Sequence, residues 1–552
     1  RRQERQQVHP LSFPYPPAQP MIRARGLAVR PVVRTFSTEA EAVAPAAKPV
    51  LQRRPSANFA QLSRTDGAIG FPNVNARYVP DEHSHLTAPA TQNTVVGTAS
   101  DSHWDPLGSW SEAQIREAAE KNVMLTWGAT GPVKDLPIFT HGEGVHLFDQ
   151  AGNKYLDWTS QAVCTNFGYT VPEAVTQAMV KQMETLPYMY GGMGMVEVRA
   201  RLANLLSEIC PADISGFLFP CGGAEANEAA VRIARRFTGK TKIMTQYRSY
   251  HGGSASTLGA TGDFRRWFAE AGSSGFVKIF NPQPLGFSWG STDETATRRS
   301  LQALEEQIQM EGPNTIAAIM LETIVGANGA LVPPAGYLEG IRALCDKYKI
   351  LLILDEVMVG FGRTGELFAF QHFPGVVPDI LTSAKGLSAG LAPIAMVGLR
   401  QHLKEWFHTN ALGWGATYQA HPVSMACAYE CIKHLVDNDF PSKAKALQPV
   451  MVEELQELVD KHRCVKQARA IGLFGCLDLQ RRHGRLVQRL EEASPEAVRE
   501  LRLALRSNGL LALFRPPLLH CAPPLVITEE ELRDGFRRLS KALEVMDRKI
   551  WG

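Results

Sequence analysis

Asp355 and Glu356 directly follow five apolar residues, Ile350–Leu354, in the segment LILDEVMVGFGRTG. A carboxylate at the end of a buried strand is costly unless it meets a cation, a metal or a protonated ring nitrogen. The glycine-rich run Gly360–Gly365 behind it reads as flexible loop, which would put these acids at the mouth of a cleft. Lys385, in DILTSAKGLSAGLAPIAMV, follows a short apolar run and precedes Gly386, Ser388 and Gly390. An amine in an apolar pocket loses its proton and becomes a nucleophile toward carbonyls. In CGGAEANEAAVRIARR, Gly222 and Gly223 let the backbone approach an anion, and a helix opening at Ala224–Glu225 offers N–H groups and a positive dipole end to a phosphate. YRSYHGG carries Tyr250 and His251 out of a predicted strand, Lys242–Gln246, where either can lie against a planar ligand. Taken singly, each piece has an ordinary structural reading: a helix packing contact, a core ion pair, a loop lysine, loop packing.

Taken together they ask for one ligand. Phosphate contacts, a carboxylate for a ring nitrogen, a stacking aromatic and an amine for an aldehyde are the requirements of pyridoxal 5'-phosphate. With LDEVMVGFGRTG and Lys385 thirty residues beyond Asp355, the chain resembles the class III (omega) aminotransferases of pyridoxal phosphate fold type I over about residues 110–550. GAEANEAA, SYHGG, LETIVGANG, GATYQAHP and APPLVITEEEL strengthen the likeness. The resemblance implies that Lys385 carries the cofactor aldehyde and later moves the proton, while Asp355 keeps the pyridine nitrogen protonated. It also implies Val357 on the ring face opposite Tyr250, with His251 beside it, Gly223 and Ala224 on the phosphate, and Glu322 near the phenolic side. Thr417 would reach the phosphate of a neighbouring subunit, making a homodimer with shared active sites.

Two departures bear on substrate. Where many members have Ser or Thr in the phosphate loop, this chain has Gly222 and Ala224, so backbone amides carry more of the contact. Arg515 in LFRPPLLHCAPPL lies eight residues before Pro523, a spacing similar to taurine–pyruvate and related omega-amino-acid enzymes. Trp158, Tyr188 and Tyr190 resemble residues lining the substrate end in that branch. The implied reaction moves an amino group from an omega-amino acid or amine (taurine, β-alanine or 4-aminobutyrate type) to pyruvate or a related 2-oxo acid. Alanine–glyoxylate transamination, a pyridoxal phosphate aminomutase, and a structural subunit of a mitochondrial assembly are the alternatives.

These residues need a scaffold. Helix-period segments at 172–185, 195–208 and 225–237 alternate with the apolar runs Gly216–Pro220, Ile243–Gln246, Thr315–Leu321, Ile350–Leu354 and Pro393–Val397. Runs apolar on successive residues suit strands covered on both faces, so the fold class is α/β, a large domain with a mostly parallel sheet plus a smaller α+β domain. Open parallel sheets bind ligands beyond the carboxyl ends of their strands. The expected boundaries are a leader and linker at 1–55, an arm and part of the small domain at 56–165, the large domain at 166–430 and the rest of the small domain at 431–552. A helix is predicted at 111–124 with Ser109 or Ser111 as N-cap, and a strand pair turning at Asp149–Asn153. Charged helical patterns at 446–461, 478–506 and 528–547 surround short strands near 471–478 and 517–521.

At 552 residues the chain exceeds any single small module. No stretch approaches the length of a membrane-spanning helix, so no membrane insertion is expected. The net charge of +3 hides ten Lys or Arg against three acids in residues 1–60, with a mildly acidic remainder that does not suit a nucleic-acid partner. MIRARGLAVRPVVRTFS, residues 21–37, is Arg-rich and free of acids, the composition of a mitochondrial presequence, with Met21 read as an initiator and the matrix as destination. Nine cysteines without a CxxC pair argue against a disulfide scaffold or structural zinc, and no metal site is expected; Cys427 and Cys431 could share a helix face.

Overall fold

The runs Ile316–Glu322 and Leu351–Asp355, buried along their whole length, lie side by side at the centre of a seven-stranded sheet. The computed structural model describes residues 110–127, 133, 136–268, 274–283, 289–479 and 495–551. The leader at 1–55 and the arm up to residue 109 lie outside these residues, as does 480–494 within the predicted 478–506 helix. Across the sheet the strands run Ile214–Leu218, Met396–Arg400, Ile380–Ser383, Leu351–Asp355, Ile316–Glu322, Lys242–Gln246 and Phe276–Ile279. The five from Ile380–Ser383 to Phe276–Ile279 are mutually parallel, and Met396–Arg400 is antiparallel to both its neighbours. Covering a parallel strand on both faces removes the reason for polar alternation, and each large aliphatic side chain so buried contributes about 1.5–3 kcal/mol.

Helix Gly223–Thr238 lies over the sheet, presenting Ala226, Ala229, Ala230, Val231, Ile233 and Ala234 as its buried stripe. It starts at Gly222, which offers no side-chain cap. Helix Glu112–Asn122 is closed by Ser111, whose Oγ accepts from Gln114 N while Gln114 Oε1 accepts from Ser111 N, a reciprocal cap.

Two four-stranded sheets complete the architecture. In one, Phe139–Glu143, His146–Asp149 and Lys154–Asp157 are joined by Leu510–Leu511, which runs parallel to Lys154–Asp157 and ties the two ends of the described chain together. In the other, Val465–Ile471, Phe474–Leu479, Leu518–Cys521 and the two-residue edge strand Phe514–Arg515 pair antiparallel. The helices Phe440–Lys461, Pro495–Ser507 and Glu529–Trp551 pack in this region. No helix among the described residues is long and apolar enough to cross a membrane.

Two expectations need correction. The Gly360–Gly365 run is buried, and Arg363 within it is 1% exposed. The Arg363 guanidinium donates to the carbonyls of Leu473 and Pro523, to Ser160 Oγ and to Asn166 Oδ1, so this loop is an internal tie rather than a flexible cleft mouth. Trp158 is fully buried, its ring edge-on to Phe536 at 4.9 Å, and a side chain on Gly535 would collide with it. It is a core residue beneath the Glu529–Trp551 helix and lines no substrate cleft, because its ring fills the space that Gly535 leaves open.

Candidate active site

Glu322 and Asp355 end adjacent parallel strands and Thr382 stands one residue before the end of the next, in register, Glu322 opposite Asp355 and Asp355 opposite Thr382. The carboxyl edge of the sheet therefore gathers the two acids, and Lys385 follows two residues after the Ile380–Ser383 strand ends. Tyr250 and His251 come in on the loop after Lys242–Gln246, at the same edge. The site is a product of strand register.

Asp355 is 3% exposed. Its Oδ2 is shared by Asn227 Nδ2 at 2.7 Å and His251 Nδ1 at 2.8 Å, and its Oδ1 accepts from Val357 N at 2.9 Å. An ionised carboxylate only accepts, so the His251 proton sits on Nδ1. Asn227 is in turn fixed by Thr382 Oγ1, which donates to its Oδ1 at 2.7 Å, while its Nδ2 also reaches the His251 carbonyl at 2.8 Å. Glu356, the next residue, points elsewhere: its carboxylate accepts from Thr323 Oγ1 and from the amides of Ala369 and Phe370. It bonds neutral donors instead of a cation, and burial pushes its pKa up to about 7.

Glu322 accepts from Tyr250 N at 2.9 Å and from Gly326 N at 2.8 Å. Burial outweighs these donors and raises it to about 7. His520 Nε2 lies 3.1 Å from the Gly326 carbonyl, so the C-terminal sheet braces the loop that holds Glu322.

Lys385 opens a single tight turn, Lys385–Leu387, with φ of +43°, a conformation that costs energy for a residue with a side chain and is found preferentially at functional sites. Burial draws its amine below the ordinary lysine range, against the opposing pull of Cys164, Asp355 and Glu322. No hydrogen bond or ion pair engages Nζ among the described residues.

At the start of helix Gly223–Thr238 a methyl on Gly223 would come 2.8 Å from Val357 Cγ1, and one on Gly252 would come 2.7 Å from Ala224 Cβ. The lack of side chains draws the helix terminus, Val357 and the Tyr250–Gly252 loop together, with the first-turn amides uncapped by any side chain. Tyr250 is covered on one side by the Arg265 guanidinium, 3.5 Å from its ring centroid. An uncapped helix terminus for a phosphate, a buried carboxylate with free lone-pair capacity on Oδ1 for a ring nitrogen, flanking apolar and aromatic groups and an unengaged lysine fit pyridoxal phosphate.

The remaining sequence-derived residues divide. Arg515 is partly buried on its edge strand, 5.8 Å from the Trp127 ring, and burial lowers it to about 10, with Arg265 adding to the fall. Tyr188 and Tyr190 are exposed, and Tyr188 Oη donates to the carbonyl of Thr417, which is itself exposed. These three form a surface with Tyr418 and His421 packed on Tyr188, outside the hydrogen-bonded group around Asp355. Sequence reasoning passed over Asn227, Thr382, Cys164, Arg265 and Trp127. Asn227 had a signal, a polar residue within an alanine-rich buried helix face. Cys427 and Cys431 do share a helix face, their Sγ atoms 3.9 Å apart, and no metal-binding group of His, Cys, Asp and Glu occurs among the described residues.

The aminotransferase class-III family matches residues 130–543. The putrescine–pyruvate aminotransferase of Pseudomonas aeruginosa is 31% identical over 424 residues, covering 74% of this chain and 91% of its own. The taurine–pyruvate aminotransferase of Bilophila wadsworthia is 30% identical over 431 residues, covering 75% and 93%. Among solved structures, the taurine:2-oxoglutarate aminotransferase of Bifidobacterium kashiwanohense, in complex with pyridoxal phosphate and glutamate, superposes with a TM-score of 0.76 at 34% identity, over 80% of this chain and all of that one.

Proposed function

The chain belongs to the class III aminotransferases, enzymes that use pyridoxal phosphate, and from that premise we propose that it moves an amino group from an omega-amino acid or amine of the taurine, β-alanine or 4-aminobutyrate type to pyruvate or a related 2-oxo acid. The observation that carries an acid-bearing substrate is Arg515: its guanidinium makes no hydrogen bond or ion pair among the described residues, and its electrostatic neighbours include Tyr250 and Glu322. A partly buried guanidinium that Asp263 and Glu322 attract only from beyond ion-pair distance suits a carboxylate or sulfonate from outside the chain.

When bound, pyridoxal phosphate supplies an aldehyde that condenses with amines and a conjugated ring that takes up the electrons released at the substrate carbon. Lys385 would hold the group at its aldehyde through Nζ, and the same Nζ, when free, would carry the proton from the substrate's amino-bearing carbon. Its lowered pKa keeps more of it neutral, the form that can act as nucleophile and base. Asp355 holds a proton on the ring nitrogen, and Asn227 and His251 fix the carboxylate so that this charge needs no rearrangement during turnover. Val357 and Tyr250 would bound the ring, and the amides of Gly223 and Ala224 would bind the phosphate.

The active form is a homodimer in which Thr417 serves the partner's phosphate. Its support is the exposure of Thr417 together with Tyr188, Tyr190 and Met193, an apolar surface of the kind that covers itself in a twofold pair. The enzyme resides in the mitochondrial matrix, a reading supported by the composition of residues 21–37. A panel of donors (taurine, β-alanine, 4-aminobutyrate, putrescine, alanine) against pyruvate, glyoxylate and 2-oxoglutarate tests the assignment. Turnover of acid-bearing omega donors with pyruvate above all other pairs is expected. Preference for alanine with glyoxylate would overturn it, and preference for putrescine would remove the acid-bearing donor and the Arg515 reading with it.

A further inference from the structure

The helix Phe440–Lys461 ends on His462, a buried residue that faces the final helix, Glu529–Trp551. Its two ring nitrogens meet two side chains of that helix: Nδ1 lies 2.7 Å from Asp547 Oδ2 and Nε2 lies 2.8 Å from Ser540 Oγ. Asp547 Oδ1 accepts from Cys464 N at 2.9 Å, and Lys461 Nζ donates to Ser540 Oγ at 2.8 Å. None of these residues takes part in the hydrogen bonds around Asp355 and Glu322.

The hydrogen-bond roles set a direction. Against the rise that partial burial brings, hydrogen bonds from His462 and the Cys464 amide hold the Asp547 carboxyl below its ordinary range. An ionised carboxylate only accepts, so the imidazole proton sits on Nδ1 and Nε2 of the neutral ring is an acceptor. An ammonium only donates, so Ser540 Oγ accepts from Lys461 and turns its own hydrogen toward Nε2. A hydroxyl bonded to an imidazole that a carboxylate orients is an activated nucleophile, recognised by geometry and roles and not by fold or chain order. A tie between the two helices is complete with His462 and Asp547, and leaves the polarised hydroxyl without a purpose. Ser540 is 8% exposed, so Oγ lies just beneath the surface, within reach of a small group.

We propose that Ser540, His462 and Asp547 form a second catalytic site, separate from the transaminase centre, that hydrolyses small carboxylic esters. Ser540 Oγ bonds to the acyl carbon as its proton passes to His462 Nε2, and the carbonyl electron pair moves onto the ester oxygen. The amides beside Ser540 are spent within the helix, so the Lys461 ammonium is the donor that meets the charge on that oxygen. Return of the pair breaks the bond to the alcohol, which leaves with the proton from Nε2. Water then attacks the acylated serine by the same steps, releasing the carboxylic acid and restoring the hydroxyl. Asp547 acts through His462 and is a positioning residue.

The test uses the cofactor-loaded full chain after borohydride reduction, so that Lys385 is blocked as a competing nucleophile. It is treated with a fluorophosphonate and mapped by peptide, and p-nitrophenyl acetate hydrolysis is followed in parallel. The phosphonyl group is expected on Ser540, and S540A and H462Q should each slow p-nitrophenol release at least tenfold. In D547N the saturating rate of phosphonylation should fall about 10²-fold or more while the half-saturating concentration holds, and D547E should recover part of the rate. A merely structural carboxylate gives no such split. The mapping on the natural enzyme decides the matter even where a variant does not fold: a fluorophosphonate that leaves Ser540 unmodified refutes the proposal. Hydrolysis that survives in S540A, or D547N labelled at the natural rate, refutes it equally and leaves His462 a tie between the two helices.

Discussion

His251 Nδ1 stands 2.8 Å from Asp355 Oδ2, and Asn227 Nδ2 shares that oxygen at 2.7 Å, leaving Oδ1 with a single backbone donor. The carboxylate is thus held from one side by two side chains and open on the other. An oxygen carries two lone pairs, so Oδ1 can still accept from a protonated ring nitrogen.

The variant Asp355→Asn should keep cofactor while turnover drops about 10²-fold or more, since a neutral amide cannot stabilise a protonated pyridine nitrogen. Steady-state kinetics alongside the cofactor absorbance spectrum checks this. Turnover at the natural rate would make Asp355 a structural acid whose work is to order His251 and Asn227.

Replacing Lys385 by Ala should abolish transamination while some non-covalent cofactor binding survives, because Asp355, Val357, Tyr250 and the helix terminus at Gly223 remain. Borohydride reduction of the natural enzyme followed by peptide mapping locates the attachment point. The reduced cofactor found on any other lysine refutes the assignment.

How much of this was readable in advance depends on whether a residue's role is local. The continuous apolar runs that became Ile316–Glu322 and Leu351–Asp355 announced strands covered on both faces, and the glycines at 222 and 223 announced a helix end. The strand Phe276–Ile279 escaped notice because Lys278 interrupts its pattern; that lysine is satisfied by Thr245 and by the carbonyls of Gly259 and Ala260, partners remote in the chain. Trp158 was misjudged for the same reason, since Gly535, which makes room for its ring, lies hundreds of residues away. Asn227 and Thr382 matter only through contacts with each other and Asp355, which no local spacing encodes.

Glu322 supplies a pH signature. Its pKa is raised by burial to about 7 from an ordinary 4.5, so between these values the folded state holds a proton that the unfolded state has lost. The stability it contributes is full below about pH 4.5 and is lost as pH rises through about 7, at up to about 1.4 kcal/mol per pH unit for one whole proton. Glu322→Gln mimics the protonated form and should flatten that fall, with Glu356, shifted the same way, sustaining the remainder. Urea unfolding at pH 5 and pH 8 measures it. An unchanged slope in the variant means Glu322 is ionised throughout.

In cells the protein should begin somewhere around residues 35–55, the basic run from Met21 having been removed on entry to the mitochondrial matrix. N-terminal sequencing of protein isolated from fractionated cells decides the matter. Cytosolic protein that retains residues 21–34 is the contrary result.

Thr417 should complete the site of the opposite subunit. A Lys385→Ala protomer and a Thr417→Ala protomer, each inactive or strongly impaired as a homodimer, are mixed under conditions where subunits exchange. In the heterodimer one site then combines both defects and the other has neither, so activity should return to as much as half the sites. An in-chain contact gives a different result: each site keeps one defect, and exchange restores nothing. The Tyr188 Oη bond to the Thr417 carbonyl at 2.9 Å anchors this loop through its backbone, so removing the Thr417 side chain leaves the anchor in place and the experiment reads the hydroxyl itself.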